Sequence, residues 1–290
     1  MSAKYPIIAV TGSSGAGTTT VMNAFNGIFT REKMHVQIVE GDAFHRYDRK
    51  TMRERQHEAE KTHRNFSHFG PDANILGELE TLFRTYGESG TGKIRQYLHD
   101  DDVCNGQEAG TFTPWSDIET GTDLLFYEGL HGAYADEQLD VARHPDLLIG
   151  VVPVINLEWI QKLHRDQNMR GYSHEAVVGT ILRRMPDYVN YVVPQFSRTH
   201  VNFQRVPTVD TSNPFIARDI PTADESMVVI RFADPKGIDF PYLLSMLHDS
   251  MMTRPNSILV PGGKMGLAMQ LIFTPMILRL LDQKRRAQTP

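Results

Sequence analysis

A glycine-rich turn between an apolar run and a helix-like stretch constrains this chain more than any other feature. Residues 12–19 read Gly12-Ser13-Ser14-Gly15-Ala16-Gly17-Thr18-Thr19. This is the Gly-x-x-x-x-Gly-Lys-Ser/Thr phosphate-loop pattern with Thr18 in the lysine position. Ile7-Ile8-Ala9-Val10 precedes it and Val21-Met22-Asn23-Ala24-Phe25 follows. Strand, glycine loop and helix are the context in which backbone N–H groups and a helix N-terminus cradle a triphosphate. Thr19 then occupies the hydroxyl position for Mg²⁺. Thr18 carries no charge, so a Lys or Arg from elsewhere must approach the β- and γ-phosphates. A purely structural glycine turn is the plain alternative.

Beyond the loop, apolar runs alternate with helix-length segments. Strands are expected at residues 7–10, 35–39, 124–127, 147–155, 207–210, 227–232 and 257–260, and a helix at 18–29. Continuous apolar strands in β-α-β order predict a mostly parallel mixed sheet with helices on both faces, a P-loop NTPase or nucleotide-kinase-like α/β fold. The reading is one kinase domain over residues 1–290 with long insertions and a lid-like segment at about 157–172. Residues 51–63 read as a solvated charged helix. Residues 263–286 read as a core helix, with a kink expected at Pro275 and oligomer contact as the alternative.

The chain has 290 residues, 40% of them hydrophobic, which allows a full core. A net charge of −5 gives no reason to expect nucleic acid. Cys104 is the one cysteine, so no intramolecular disulfide can form and a reducing cytoplasm is expected. The N-terminal residues do not read as a signal peptide, and no run was expected to reach the ~20 apolar residues of a membrane span.

Two acids follow predicted strands. Asp42 lies in Glu40-Gly41-Asp42 after the second strand. Ligands of an open parallel sheet sit beyond the strands' carboxyl ends, so Asp42 can take a proton from an attacking hydroxyl. A helix N-cap is the alternative. If the stretch is helical, Asp42, His45 and Arg49 share a face. Glu128 ends Leu124-Leu125-Phe126-Tyr127, the Walker B arrangement of an apolar run and a metal-serving acid. Further on, Lys162, Arg165, Asp166 and Arg170 fall on one helical stripe. They are either a surface helix with ion pairs such as Lys162–Asp166, or a lid that closes over ATP with the missing cations. Arg183 and Arg184 are further candidates to face phosphates.

Five stretches together resemble the phosphoribulokinase family: residues 12–19, Glu40-Gly-Asp-Ala-Phe-His-Arg46, Asn65-Phe-Ser-His-Phe-Gly-Pro-Asp-Ala-Asn74, Tyr127-Glu-Gly-Leu-His-Gly132, and Lys162-Leu-His-Arg-Asp-Gln-Asn-Met-Arg-Gly-Tyr172. The resemblance implies transfer of the ATP γ-phosphoryl to the C1 hydroxyl of ribulose 5-phosphate in the Calvin cycle, with Mg²⁺. It implies Asp42 as catalytic base, Asp166 as a second essential acid and Lys162 as a catalytic lid cation. Residues 12–19 and Arg165 would serve ATP, and His45, Arg49 and Arg170 the sugar phosphate. Thr19 and Glu128 would serve the metal. Plant-type members carry a cysteine where this chain has Ala16, so thioredoxin control is not expected. Bacterial members of this length resemble homo-octamers activated by NADH, for which Arg31, Arg231 and Arg254 are candidate phosphate contacts; ordinary surface charge is the alternative.

A related kinase of a nucleoside or of pantothenate is the nearest alternative. A guanine-reading switch would carry Asn-Lys-x-Asp, and the chain has no Asn-Lys pair. A degenerate nucleotide binder would explain the lost lysine but not the intact Asp42, Glu128 and Thr19.

Overall fold

Ile7-Ile8-Ala9-Val10 is buried on both sides, as only an inner strand of a covered sheet can be. The computed structural model describes residues 4–12, 18–99, 108–152, 154–168 and 171–288, and of Thr18, Thr19 and Gln288 the backbone only. Its first half runs β1 (Ile7–Gly12), α1 (Thr18–Arg31), β2 (Val36–Glu40), α2 (Arg49–Lys61), α3 (Leu76–Ser89), β3 (Lys93–Ile94) and β4 (Ser116–Asp117). β5 (Leu124–Gly129), β6 (Leu147–Val152), α4 (Ile155–Asn168), α5 (His174–Asp187), β7 (Val201–Pro207) and β8 (Ser226–Phe232) follow. The chain closes with α6 (Phe240–Met246), β9 (Met251–Arg254), β10 (Ser257–Pro261) and α7 (Met265–Gln288).

Eight strands form one sheet in the order β2-β5-β1-β6-β7-β8-β10-β9. The first five are parallel; β8, β10 and β9 join antiparallel to their neighbours. Side chains alternate across the pleat, so Ile8 and Val10 enter one core and Ile7 and Ala9 the other. In the first core Phe25 of α1 stacks on Phe273 of α7 (5.2 Å between ring centres), and Phe203 of β7 lies 5.5 Å from Phe273. In the second, Phe83 of α3 meets Tyr127 of β5 edge-on at 5.4 Å. Each such ring, fully buried, contributes on the order of 1.5–3 kcal/mol.

β1 lies between β5 and β6; the connection from β1 runs to β2 on one side, and the connection from β5 runs to β6 on the other. The crevice beyond the carboxyl ends of β1, β2 and β5 is therefore the topological switch point, where ligands of this sheet class bind. α4 and α5 form a hairpin with a small core of their own, Leu163, Val177 and Ile181 with Trp159, Val178 and Phe215. Ser173 caps α5 by accepting from Ala176 N–H at 3.2 Å.

Several sequence expectations need correction. The run 147–155 is not all strand: β6 ends at Val152 and Ile155 opens α4. The strand expected at 207–210 is β7, which ends at Pro207. Polar Asn202, Gln204 and Arg205 hide it, although Val201 and Phe203 are buried. β9 and the β3–β4 hairpin were not foreseen. One segment, Gly262–Ala287, is long and apolar enough to cross a membrane by length and composition, contrary to expectation. Its Ala268, Met269, Ile272, Phe273 and Ile277 lie in the core against α1 and the sheet, as a core helix requires.

Candidate active site

Ser13, Ser14, Gly15, Ala16, Gly17, Cys104 and Arg170 lie outside the described residues. What frames the phosphate loop is described. Gly12 pairs in register with Val151 of β6, and a Cβ on it would fall 2.8 Å from the Val151 carbonyl oxygen. Thr18 and Thr19 open α1.

Asp42 sits in a 3₁₀ turn, Gly41–Phe44, directly after β2. Glu128 is the penultimate residue of β5, paired in register with Glu40 on one side and Val10 on the other. Two glycines bring these strand ends together. A Cβ on Gly41 would lie 2.7 Å from Gly129 Cα, and one on Gly129 would lie 2.6 Å from Gly41 Cα. No side chain fits between them, so the turn carrying Asp42 rests on the backbone beside Glu128. Burial pushes the Glu128 carboxyl up to about 7, helped by the charges of Asp42 and then Glu40.

Asp42 does not share a helix face with His45 and Arg49, because the 3₁₀ turn stops at Phe44 and α2 begins at Arg49 behind an Asp48 cap. His45 nevertheless meets Asp42, with Nε2 3.5 Å from Oδ1. The Arg49 side chain packs against Gly110 instead: a Cβ there would collide with it. His99 approaches from the other side, Nε2 3.7 Å from Asp42 Oδ2. His45 stacks on His68 at 4.0 Å, and His131 Nε2 bonds the Phe69 carbonyl at 3.0 Å. Burial lowers His45, lowers His68 well below its ordinary value, and brings His131 down to about 4. All three imidazoles are therefore neutral near pH 7.

On α4, Asp166 is buried and gathers two cations. Lys162 bonds its Oδ2, and Arg165 Nε reaches Oδ1 at 3.1 Å. Burial pushes the Asp166 carboxyl up, yet Lys162 and Arg165 together hold it below its ordinary value. Burial lowers Lys162, and Arg184 adds to that shift. The two expected lid cations thus face a carboxylate in this structure. Arg183 pairs with Glu60 of α2, and the Arg184 guanidinium lies 5.8 Å from the Phe69 ring centre. Ser67 Oγ donates to Asp187 Oδ2 at 2.7 Å, which ties the loop of His68 and Phe69 to the end of α5.

Gln195, just beyond α5, is buried and fully bonded. It accepts from Thr11 Oγ1 (3.0 Å) and Ala133 N–H (3.1 Å), and donates to the Leu130 (3.0 Å) and Tyr191 (2.7 Å) carbonyls. One amide thus joins the strand entering the phosphate loop to the segment following Glu128. Sequence reasoning did not single out Gln195, His99, His68 or His131; the last two lie within stretches quoted above without a role.

A model of the phosphoribulokinase/uridine kinase family matches residues 7–212. The chain belongs to that family. Members of the phosphoribulokinase/uridine kinase family are kinases, and this one has the mostly parallel P-loop kinase sheet described above. A plasmid-encoded phosphoribulokinase of Cupriavidus necator is 66% identical over 290 residues, covering 99% of each chain. A phosphoribulokinase of Nitrobacter vulgaris is 62% identical over 287 residues, covering 98% of this chain and 99% of the relative. The solved structure of a phosphoribulokinase from Rhodobacter spheroides superposes with a TM-score of 0.92 at 56% identity, covering 98% of this chain and 100% of that one. The family model stops at residue 212, whereas these relatives also match the later part, with β8 to β10 and α7.

Proposed function

We propose that this family member is a phosphoribulokinase, acting over its whole length as one kinase unit. It transfers the γ-phosphoryl of ATP to the C1 hydroxyl of D-ribulose 5-phosphate, giving ribulose 1,5-bisphosphate and ADP. One observation carries the reading: the half-exposed Asp42 carboxylate stands beside Glu128 at the sheet's switch point, in a chain 66% identical throughout to a phosphoribulokinase. The O1–Pγ bond forms as the bond from Pγ to the β–γ bridging oxygen breaks. Asp42 accepts the hydroxyl proton and later releases it to solvent.

Glu128 and Thr19 would hold Mg²⁺. The fit is good: Glu128 is an oxygen donor raised to about 7 beside two other carboxylates, a cluster that a hard divalent cation relieves. When bound, the ion supplies charge neutralisation on the β- and γ-phosphates. The phosphate loop, residues 12–19, binds ATP together with Arg165. Lys162 stabilises the transferring group once the lid closes, and its partner Asp166 is the second essential acid. His45, Arg49 and Arg170 bind the sugar phosphate.

The finer assignments rest on the family resemblance: a cytoplasmic homo-octamer activated by NADH. Arg231 of β8 and Arg254 of β9 both pair in register with Ser257, so two exposed guanidinium groups flank one position of β10. Arg31 instead leans on α7, donating to Thr274 at 2.8 Å.

Measuring ADP release with ribulose 5-phosphate, uridine and pantothenate in turn tests the substrate. Turnover confined to ribulose 5-phosphate is expected, and preference for uridine or pantothenate overturns the assignment. Arg170→Ala should raise KM for ribulose 5-phosphate far more than for ATP.

A further inference from the structure

The turn that carries Asp42 leaves carbonyls that its own backbone does not bond, as short helical turns do. Ile75 N–H serves the Phe44 carbonyl at 2.8 Å, and Arg95, the residue after β3, serves those of Ala43 and of His45, the next residue after the turn. Its Nε–H donates to the Ala43 carbonyl at 2.7 Å and an Nη2–H to the His45 carbonyl at 2.6 Å. The same guanidinium lies 3.7 Å from the Phe112 ring centre and 4.9 Å from that of Trp115. Trp115 in turn meets Phe44, the last residue of the Asp42 turn, edge-on at 6.2 Å.

These contacts join two pieces of chain that both reach the carboxylate. One is the turn itself. The other is the flap around the β3–β4 hairpin, which bears Tyr97 and His99. Tyr97 packs against His45 (5.8 Å), His99 (5.1 Å) and Phe112 (5.4 Å), while His99 stands at Asp42 Oδ2. We propose that Arg95 is a positioning residue for the phosphoryl transfer: it fixes the base-bearing turn and the His99-bearing flap as one unit and so holds the aim of Asp42. Only a planar fork can bond two carbonyls and stack on an aromatic face together; a lysine ammonium cannot. The proposal rests on Asp42 being the base.

The test compares Arg95→Met, Arg95→Lys, Asp42→Asn and the Arg95→Met/Asp42→Asn double variant, each with its melting temperature and active fraction measured. Arg95→Met should keep KM for ATP and lose kcat by about 100-fold, the scale of a 1 Å misplacement. Arg95→Lys, which keeps the charge and stem and guards against a misfolded Met variant, should lose kcat similarly. In a fifth variant, Arg95→Ala, millimolar methylguanidinium should restore part of the kcat while adding nothing to wild type. In the Asp42→Asn background, Arg95→Met should cause little further loss, because groups acting as one unit are not additive. Wild-type kcat in both Arg95→Met and Arg95→Lys, a loss explained by active fraction alone, or full additivity with Asp42→Asn would overturn the role. Retained kcat in Asp42→Asn would instead remove the base assignment, an outcome read from a separate protein.

Discussion

Asp42 keeps about two-fifths of its side-chain surface open, while His45 behind it is almost wholly enclosed. Burial keeps the His45 imidazole behind this open carboxylate neutral near pH 7, so it sets no charge against a proton arriving there. Asp42→Ala should therefore lower kcat by roughly 10²–10⁴-fold while ATP binding, followed by a fluorescent analogue, stays near wild type. The imidazoles also make the site acid-sensitive. His131 is held at about 4 against an ordinary 6.5, so the unfolded chain binds the extra proton first. Its contribution, on the order of 3 kcal/mol, is present above pH 6.5 and lost as pH falls from 6.5 towards 4. Glu128, raised to about 7, works in the opposite sense between its ordinary 4.5 and 7. The informative quantity is thus a difference: between pH 7.5 and 5, His131→Asn should lose less melting temperature than wild type. Parallel losses would refute the buried-imidazole account. The positions of Asp42 and Glu128 at the carboxyl ends of strands were legible in the sequence, because Asp42 closely follows the run of β2 and Glu128 directly follows that of β5. Arg95 was not, because it bonds Ala43 across 52 residues and no local pattern reports such a contact.

Elements were legible where one periodicity ruled and obscure where two met. The charged pattern of residues 51–63 gave α2, which runs Arg49–Lys61. The apolar run at 147–155 concealed a strand passing into a helix, since both bury apolar residues there. On the α4–α5 hairpin the ion-pair reading of the charged stripe holds: Lys162 and Asp166 form a helical i,i+4 pair. If lid closure hands Lys162 from Asp166 to the phosphates, Lys162→Ala should cost far more kcat than Thr18→Ala in steady-state assays. A larger loss in Thr18→Ala would end the lid account. Gln195 links this hairpin's exit to the phosphate-loop strand. Gln195→Leu strands the Ala133 N–H, while the Leu130 carbonyl keeps its Thr11 donor, and should cost about 1–3 kcal/mol in urea unfolding.

The whole molecule is organised by two cores of unequal reach. The core under α3 ends near the site, whereas the one under α1 and α7 spans the sheet from β5 to β10. Phe273 touches aromatic rings of both α1 and β7, so Phe273→Ala should destabilise the fold by about 3–5 kcal/mol in equilibrium denaturation. β1, β5 and β6 were legible because they are continuous apolar runs; β7, parallel to β6, and β9 were not, because polar residues interrupt them. The contact between Gly41 and Gly129 has a consequence at this largest scale. It works as a mechanical stop: the gap between the Asp42 turn and the strand end at Glu128 is gauged where two main chains and the Tyr127 hydroxyl meet. A single methyl added at either glycine would part the two segments while leaving both carboxylates in the chain.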